Sequence, residues 1–233
     1  MKRLEQYWKN FCQRLTNEGV NVHSLLFGHK DKIIFQESVE ELDGDGLHRQ
    51  FSISKSFTSM AIGLLEEEGK LRIEDRLIKY YPEYADLVSE LFMPMTIRDL
   101  LAMETCHAYT TYKKDPSKPW VESFFITEGH HMPGSSFIYD TSASHVLGHL
   151  VEKLSGQKVL DYLRSKGLDK TGFSADAYFL EDPQGHVIAG SGLMARAEDI
   201  YIFTAILQQK GQYRGQQIFP EAYCEAAVAK QTD

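Results

Sequence analysis

Two strand-like runs, Val22–Phe27 and Lys32–Gln36, joined by the polar turn Gly28–Asp31, form the one clear hairpin in a chain that otherwise reads as helices and loops. A lone two-stranded hairpin is marginal in water and cannot cover several amphipathic helices. The pattern therefore predicts an α/β (α+β) fold, an antiparallel sheet flanked by helices, with the last strands following position 233. Ahead of the hairpin, Met1 to Leu15 mixes Lys2, Arg3, Glu5, Lys9 and Arg14 with Leu4, Tyr7, Trp8, Phe11 and Leu15, which predicts an amphipathic helix rather than the apolar core of a signal peptide. After it, the acidic, Gly-containing stretch Glu37 to Arg49 reads as a loop. From Ser54 onward, Phe57, Met60, Ala61, Leu64 and Leu65 recur at helical spacing until Gly69, so this helix should be largely buried. Further helices are predicted after the N-capping Thr96, over His145–Leu154, through Val159–Leu163, over Ala197–Gln209 and over Glu221–Lys230.

Composition excludes several classes. With 42% hydrophobic and 25% charged residues the 233-residue chain is a globular protein, not a disordered or coiled-coil one. A formal net charge of -8 and the lack of a Lys/Arg tract argue against nucleic acid as a partner. Cys12, Cys106 and Cys224 are odd in number and without CxxC spacing, which suggests neither a disulfide framework nor a thiolate zinc site. No run approaches the ~18 apolar residues of a membrane span. A cytoplasmic location is expected, with export after removal of a signal sequence as the alternative.

Ser52-Ile53-Ser54-Lys55 sets a hydroxyl and an amine three residues apart at the start of the buried helix, where side chains at i and i+3 share a face. A serine hydroxyl becomes nucleophilic when a neighbouring base takes its proton, and a desolvated lysine can be that base. The helix start adds partial positive charge, and the Ser52 backbone N–H is a natural oxyanion donor. The same spelling at Ser155-Gly156-Gln157-Lys158 reads as a helix-to-helix turn.

Around this pair the sequence resembles the penicillin-binding protein and serine β-lactamase-like hydrolases, in particular their AmpC-like branch of esterases and D-peptidases. The resemblance runs through Phe51–Ser59 into Gly63–Leu71, then Thr96–Met103, Pro133-Gly134 before Phe137–Tyr139, Leu147-Gly148 before Ser155-Gly156, and Gly190–Leu193 before Ala197–Asp199. It implies a β-lactamase/transpeptidase-like fold with an α/β subdomain from residues 1–70 and 188–233, a mainly helical subdomain over 71–187, and the active site in the cleft between them. In this family a Tyr-x-Asn motif presents a tyrosine to the nucleophile, and Tyr139-Asp140-Thr141 occupies its place. The resemblance thus makes Ser52, Lys55 and Tyr139 the catalytic residues, Tyr139 being the second base, and implies no cofactor and no metal.

Two departures bear on substrate. Thr141 stands where the family often has Asn, removing an amide that would hold a substrate amide, and Cys106 stands where relatives commonly have Gly; it reads as a small buried thiol. Thr141, Tyr109 and Tyr112 are the candidate substrate-binding residues. Lys170-Thr171-Gly172 spells the family's third motif but follows a helix too early in the chain and reads as a loop; the motif itself is expected on strands beyond residue 233. His145 and His149, spaced i and i+4, lack the HExxH glutamate and read as helix-surface histidines. The expected function is a serine hydrolase forming an acyl-enzyme on Ser52 and acting on a small-molecule ester, amide or β-lactam, with ester or D-peptide ranked above β-lactam. A noncatalytic penicillin-binding or sensor module, or a fragment inactive without its last strands, are the alternatives. The oligomeric state is left open.

Overall fold

The computed structural model describes residues 2–39, 43–114 and 117–232. Part of the predicted acidic loop, residues 40–42, lies outside the described residues. The amphipathic N-terminus forms helix α1, Lys2–Asn17. The predicted hairpin is present as β1, Ser24–His29, and β2, Lys32–Ser38, antiparallel with Leu26 opposite Gln36 and a register shift between Phe27 and Gly28. Trp8 of α1 stacks on Phe35, with ring centroids 5.4 Å apart, so the helix lies along one face of the hairpin.

The buried helix predicted from Ser54 is α2, Ser54–Glu67, and its Phe57, Met60, Ile62, Leu64 and Leu65 are all in the core. Each such side chain contributes about 1.5–3 kcal/mol on leaving water. Thr96 caps α3, Ile97–Ala102, and Asp99 completes a reciprocal capping box. Helix α4, Trp120–Ile126, was not legible as a separate helix in the sequence. It is followed by α5, Thr141–Ser155, and α6, Val159–Ser165. Helix α7, Ala197–Gln208, and α8, Glu221–Val228, close the described chain. Phe57 stacks on Phe203 at 3.8 Å, which joins α2 to α7.

Three short strands position the chemistry. β3, His48–Arg49, and β4, Tyr178–Phe179, flank β5, Leu193–Ala195, in an antiparallel three-stranded sheet of order β3-β5-β4. A last pair, β6 (Gln212–Tyr213) with β7 (Gln216–Gln217), follows α7. The architecture is thus mixed α/β, small antiparallel sheets among helices. None of the described helices is long and apolar enough to cross a membrane.

One expectation is corrected. His145 and His149 do not lie on a helix surface, because α5 is enclosed on nearly all sides: Ser142 to Gly148, Leu150 and Val151 are buried. His145 is 1% exposed and its Nε2 lies 3.0 Å from Asp182 Oδ2, while His149 Nδ1 is 2.9 Å from the Tyr81 hydroxyl. Each of these two side chains enters the interior with a partner at one ring nitrogen.

Burial pushes His149 down to about 4, helped by the nearby His186 and His145 and opposed by Glu83; burial likewise takes His107 to about 4 against the pull of its bond to the Thr127 carbonyl. In the unfolded chain both titrate near the ordinary value of about 6.5. Below that pH the unfolded state takes up protons that the folded state refuses, so stability is full above about 6.5 and falls as pH drops toward 4. Thermal melts between pH 7 and pH 4 should show this, and His149→Gln, which can still bond Tyr81, should flatten the dependence. Equal pH slopes in the two proteins would remove His149 as a source.

Candidate active site

Three chain segments meet at Lys55. The first carries Ser52, in a single 3-10 turn over Phe51–Ile53 leading directly into α2. That turn is laced to β5 and the residues before it. Gln50 N donates to the Leu193 carbonyl at 2.8 Å and its side-chain amide to Ala195 O at 2.8 Å, while Leu193 N donates to Ser54 Oγ at 3.0 Å. Arg49 Nε donates to Ser191 O at 2.9 Å, and Thr58 Oγ1 to Ala189 O at 3.0 Å. Phe51 is forced to φ +43°, left-handed backbone that a bulky residue rarely adopts. Strain of about 1–3 kcal/mol is held beside Ser52 by this lacing.

The second segment is the entry to α5. Asp140 is the N-cap, its side chain accepting from Ser142 N at 2.8 Å, and Thr141 N donates to Thr110 Oγ1 at 3.2 Å. The third is the passage Gly190-Ser191-Gly192. A Cβ on Gly190 would lie 2.5 Å from Thr141 Cγ2 and 2.9 Å from its carbonyl oxygen, so only glycine lets the third segment close on the second. Two helical turns further on, Gly148 serves the same closure, because a Cβ there would meet that of Ala189 at 2.2 Å.

Lys55 Nζ lies 3.2 Å from Ser52 Oγ, 3.4 Å from Thr141 Oγ1 and 2.6 Å from the Gly190 carbonyl oxygen. It also sits 5.0 Å from the centre of the Tyr139 ring. Burial pulls the Lys55 ammonium below the ordinary lysine range; Tyr139 and Asp140 pull it back up, and Lys113 adds to the lowering. Tyr139 itself is 54% exposed, in irregular chain rather than a strand.

The structure therefore brings together Ser52, Lys55, Tyr139 and Thr141. Tyr109 stands apart, its hydroxyl accepting from Lys114 Nζ at 2.7 Å and its ring edge-on to His130. Tyr112 is buried, stacked on Trp120 at 4.0 Å. Sequence reasoning missed the Gly190 carbonyl, Asp140 and Lys113. Of these the doubled glycine alone left a signal, a tight backbone passage with no assigned partner. Lys170-Thr171-Gly172 is no strand: Leu168–Thr171 is a 3-10 turn ending on Gly172 at φ +91°, with Thr171 buried. Ser155 caps the end of α5 by donating to Val151 O at 2.6 Å, and Lys158 pairs with Glu181, which leaves that second Ser-x-x-Lys spelling structural. The Cys106 thiol is buried and pushed up to about 12 by that burial.

A sequence profile of the Beta-lactamase family matches residues 9–222. The chain belongs to the Beta-lactamase family. Among curated relatives, Protein flp of Staphylococcus aureus (strain NCTC 8325 / PS 47) is 27% identical over 124 residues, covering 50% of this chain and 25% of that protein. Among solved structures, EstCE1, a hydrolase with promiscuous acyltransferase activity, superposes with a TM-score of 0.72 at 17% identity, covering 96% of this chain and 76% of the other. The D-stereospecific amidohydrolase from Streptomyces sp. gives 0.60 at 18% identity, covering 78% and 65%. At these identities the structural likeness is one of fold.

Proposed function

We propose that this protein is a serine acyl hydrolase in which Ser52 is the nucleophile, Tyr139 moves its proton beside the positive charge of Lys55, and the substrate is a small ester or D-amino-acyl amide. The observation that carries the reading is Lys55 Nζ, held between Ser52 Oγ, Thr141 Oγ1 and the Gly190 carbonyl with the Tyr139 ring alongside. A carbonyl oxygen only accepts, so Lys55 must donate to Gly190. An ammonium, with three protons for three oxygens, fits that setting best. Lys55 then acts as a fixed positive charge, and Tyr139 is the group left to accept the proton.

In the forward step the Ser52 Oγ–carbon bond forms, the Ser52 proton passes to the Tyr139 phenolate, and the carbonyl electron pair moves onto its oxygen. The Ser52 backbone N–H, at the unpaired start of a helical turn, is one donor to that oxygen. Collapse breaks the bond to the leaving group, which takes the proton from Tyr139. Water then attacks the acyl-enzyme, its proton returning through Tyr139, and the acid leaves. The cleft would lie between an α/β subdomain of residues 1–70 with 188–233 and a helical subdomain of 71–187.

Thr141 in place of a family asparagine supports ester or D-amino-acyl amide over β-lactam, since its single hydroxyl oxygen already accepts from Lys55, whereas a carboxamide offers a substrate amide separate donor and acceptor atoms. The hydrolase neighbours, one of them a D-stereospecific amidohydrolase, support the same range.

The test is to incubate the protein with p-nitrophenyl esters, D-alanine p-nitroanilide and nitrocefin, then map acyl adducts by peptide mass spectrometry. An ester- or amide-derived adduct on the Ser52 peptide, lost in Ser52→Ala, is expected. An adduct on another residue, or hydrolysis equal in Ser52→Ala, would overturn the reading.

A further inference from the structure

Phe51, the residue before Ser52, is costly in two ways. Its backbone is left-handed, with φ +43°, and its ring is 62% exposed to water. Strain and an exposed aromatic ring beside a nucleophile point to a use for that ring. One contact supplies it. The Arg49 guanidinium lies over the Phe51 ring, 5.1 Å from its centre, as a cation on an aromatic face.

The same guanidinium is also tied to the Gly190 passage. Its Nε donates to Ser191 O at 2.9 Å, and a terminal nitrogen reaches Ser191 Oγ at 3.5 Å. Lys55 Nζ holds the preceding carbonyl, that of Gly190, at 2.6 Å, so two cations grip consecutive residues of one segment. Arg49 thus stands beside the reaction centre with its long side chain already held in place, and it is exposed. Its outer nitrogens keep donors to spare. Among the described residues no carboxylate lies within ion-pair distance of it, whereas Arg98, Arg164 and Arg196 each reach one, at 2.7, 2.6 and 2.5 Å. That is notable in a chain of net charge -8.

A guanidinium fork that is fixed, exposed and without an acid of its own suits a carboxylate. We infer that Arg49, carried on Phe51, is a specificity-determining residue that receives a carboxylate on the acyl part of the substrate. The acyl side follows from the segments involved. In the proposed reaction Tyr139 serves the leaving group from the entry to α5, while Arg49 belongs to the other two segments, the Ser52 turn and the Gly190 passage. The inference rests on the reading of Ser52 as an acyl-transfer nucleophile and narrows its substrates. Esters and amides of dicarboxylic acids are favoured, and an acyl group carrying a free ammonium is disfavoured by like charge.

The experiment compares mono-p-nitrophenyl adipate with its methyl ester, the same acyl chain with and without the charge, through the ratio of their kcat/KM values for acylation. Wild type is expected to favour the charged ester, by a margin that shrinks with added salt. In Arg49→Gln, which keeps a donor for Ser191 but loses the charge, the ratio should fall about tenfold, the scale of one charge-assisted hydrogen bond. Arg49→Lys should keep part of the preference. A merely structural role would slow both esters alike, so an unmoved ratio in Arg49→Gln overturns the inference. If the variants do not fold, wild type decides alone: a preference for the methyl ester overturns it. If neither ester acylates Ser52, the proposed reaction fails, and adipate itself then tests the subsite. The Arg49 Nε NMR signal, assigned by its loss in a folded Arg49 variant or by sequential connectivity in wild type, should shift on adding adipate at constant ionic strength, and a signal that stays put overturns the inference.

Discussion

Lys55→Met should lower the rate of Ser52 acylation by about 10³-fold, the range in which removal of one electrostatic stabiliser falls. Methionine matches the length and apolar stem of lysine, so the packing of α2 against Thr141 and Gly190 is kept while the charge is lost. The pH profile separates this from a general loss of structure. Burial lowers the Lys55 ionisation, so in wild type the rate should decline toward high pH as the ammonium gives up its proton. In Lys55→Met the residual rate should lose that decline, because the group causing it is gone. Lys55→Arg keeps a charge but not the compact three-way contact, and should recover only part of the rate. A Lys55→Met protein that acylates within tenfold of wild type, or keeps the alkaline decline, would exclude Lys55 as the charge that supports acylation.

Much of the scaffold around Lys55 was legible because it is written in periodicity. Phe57, Met60, Ala61, Leu64 and Leu65 can share a face only on a helix, and that helix presents Lys55 one turn after Ser52. Thr96 with Asp99 marked a helix start through its capping chemistry, and the hairpin showed itself as two apolar runs about a polar turn. The strands β3, β4 and β5 were not legible: two or three residues are too few for alternation to emerge, and what defines them is backbone pairing such as His48 with Ala195. The Gly190 carbonyl escaped for a related reason, since every residue owns a carbonyl and only the fold decides which one meets an ammonium.

The histidines of α5 show the opposite failure, in which a real pattern was given the wrong face. Spacing of i and i+4 puts His145 and His149 on one side of a helix but does not say whether that side meets water. The partner that makes burial of His145 tolerable, Asp182, lies 37 residues further on in a loop. The buried residues of α5 point in nearly every direction, so no polar stripe remains to mark an outside.

Asp182→Ala should cost about 3–5 kcal/mol of stability, the penalty for removing one member of a buried ion pair or its equivalent and stranding the other. The side chains of Asp182 and His145 are 0% and 1% exposed and 3.0 Å apart. Burial works to raise the Asp182 carboxyl, but the bond from His145 and those from the His186 and Gln184 backbone outweigh it and hold it below the ordinary range. That carboxylate therefore stabilises the fold at neutral pH, and the contribution fades as pH falls below the ordinary aspartate value of about 3.9. Three bonds go with the substitution: His145 Nε2 loses its acceptor, and the Gln184 and His186 N–H groups, at 2.8 and 3.0 Å from Oδ1, lose theirs. For a domain of this size the melting temperature should drop by about 10 °C. Asp182→Asn keeps an acceptor for the two backbone groups and should cost distinctly less. The loop that Asp182 organises runs on through Val187, whose N–H is held by Glu152 of α5 at 3.1 Å, to Gly190, so the same substitution should also loosen the carbonyl that anchors Lys55. Acylation per folded molecule, measured well below the lowered melting point, should then fall in Asp182→Ala and be largely kept in Asp182→Asn. A loss under about 1 kcal/mol, the scale of an exposed pair, would show that the Asp182–His145 contact is not what holds α5 to the loop leading to Gly190.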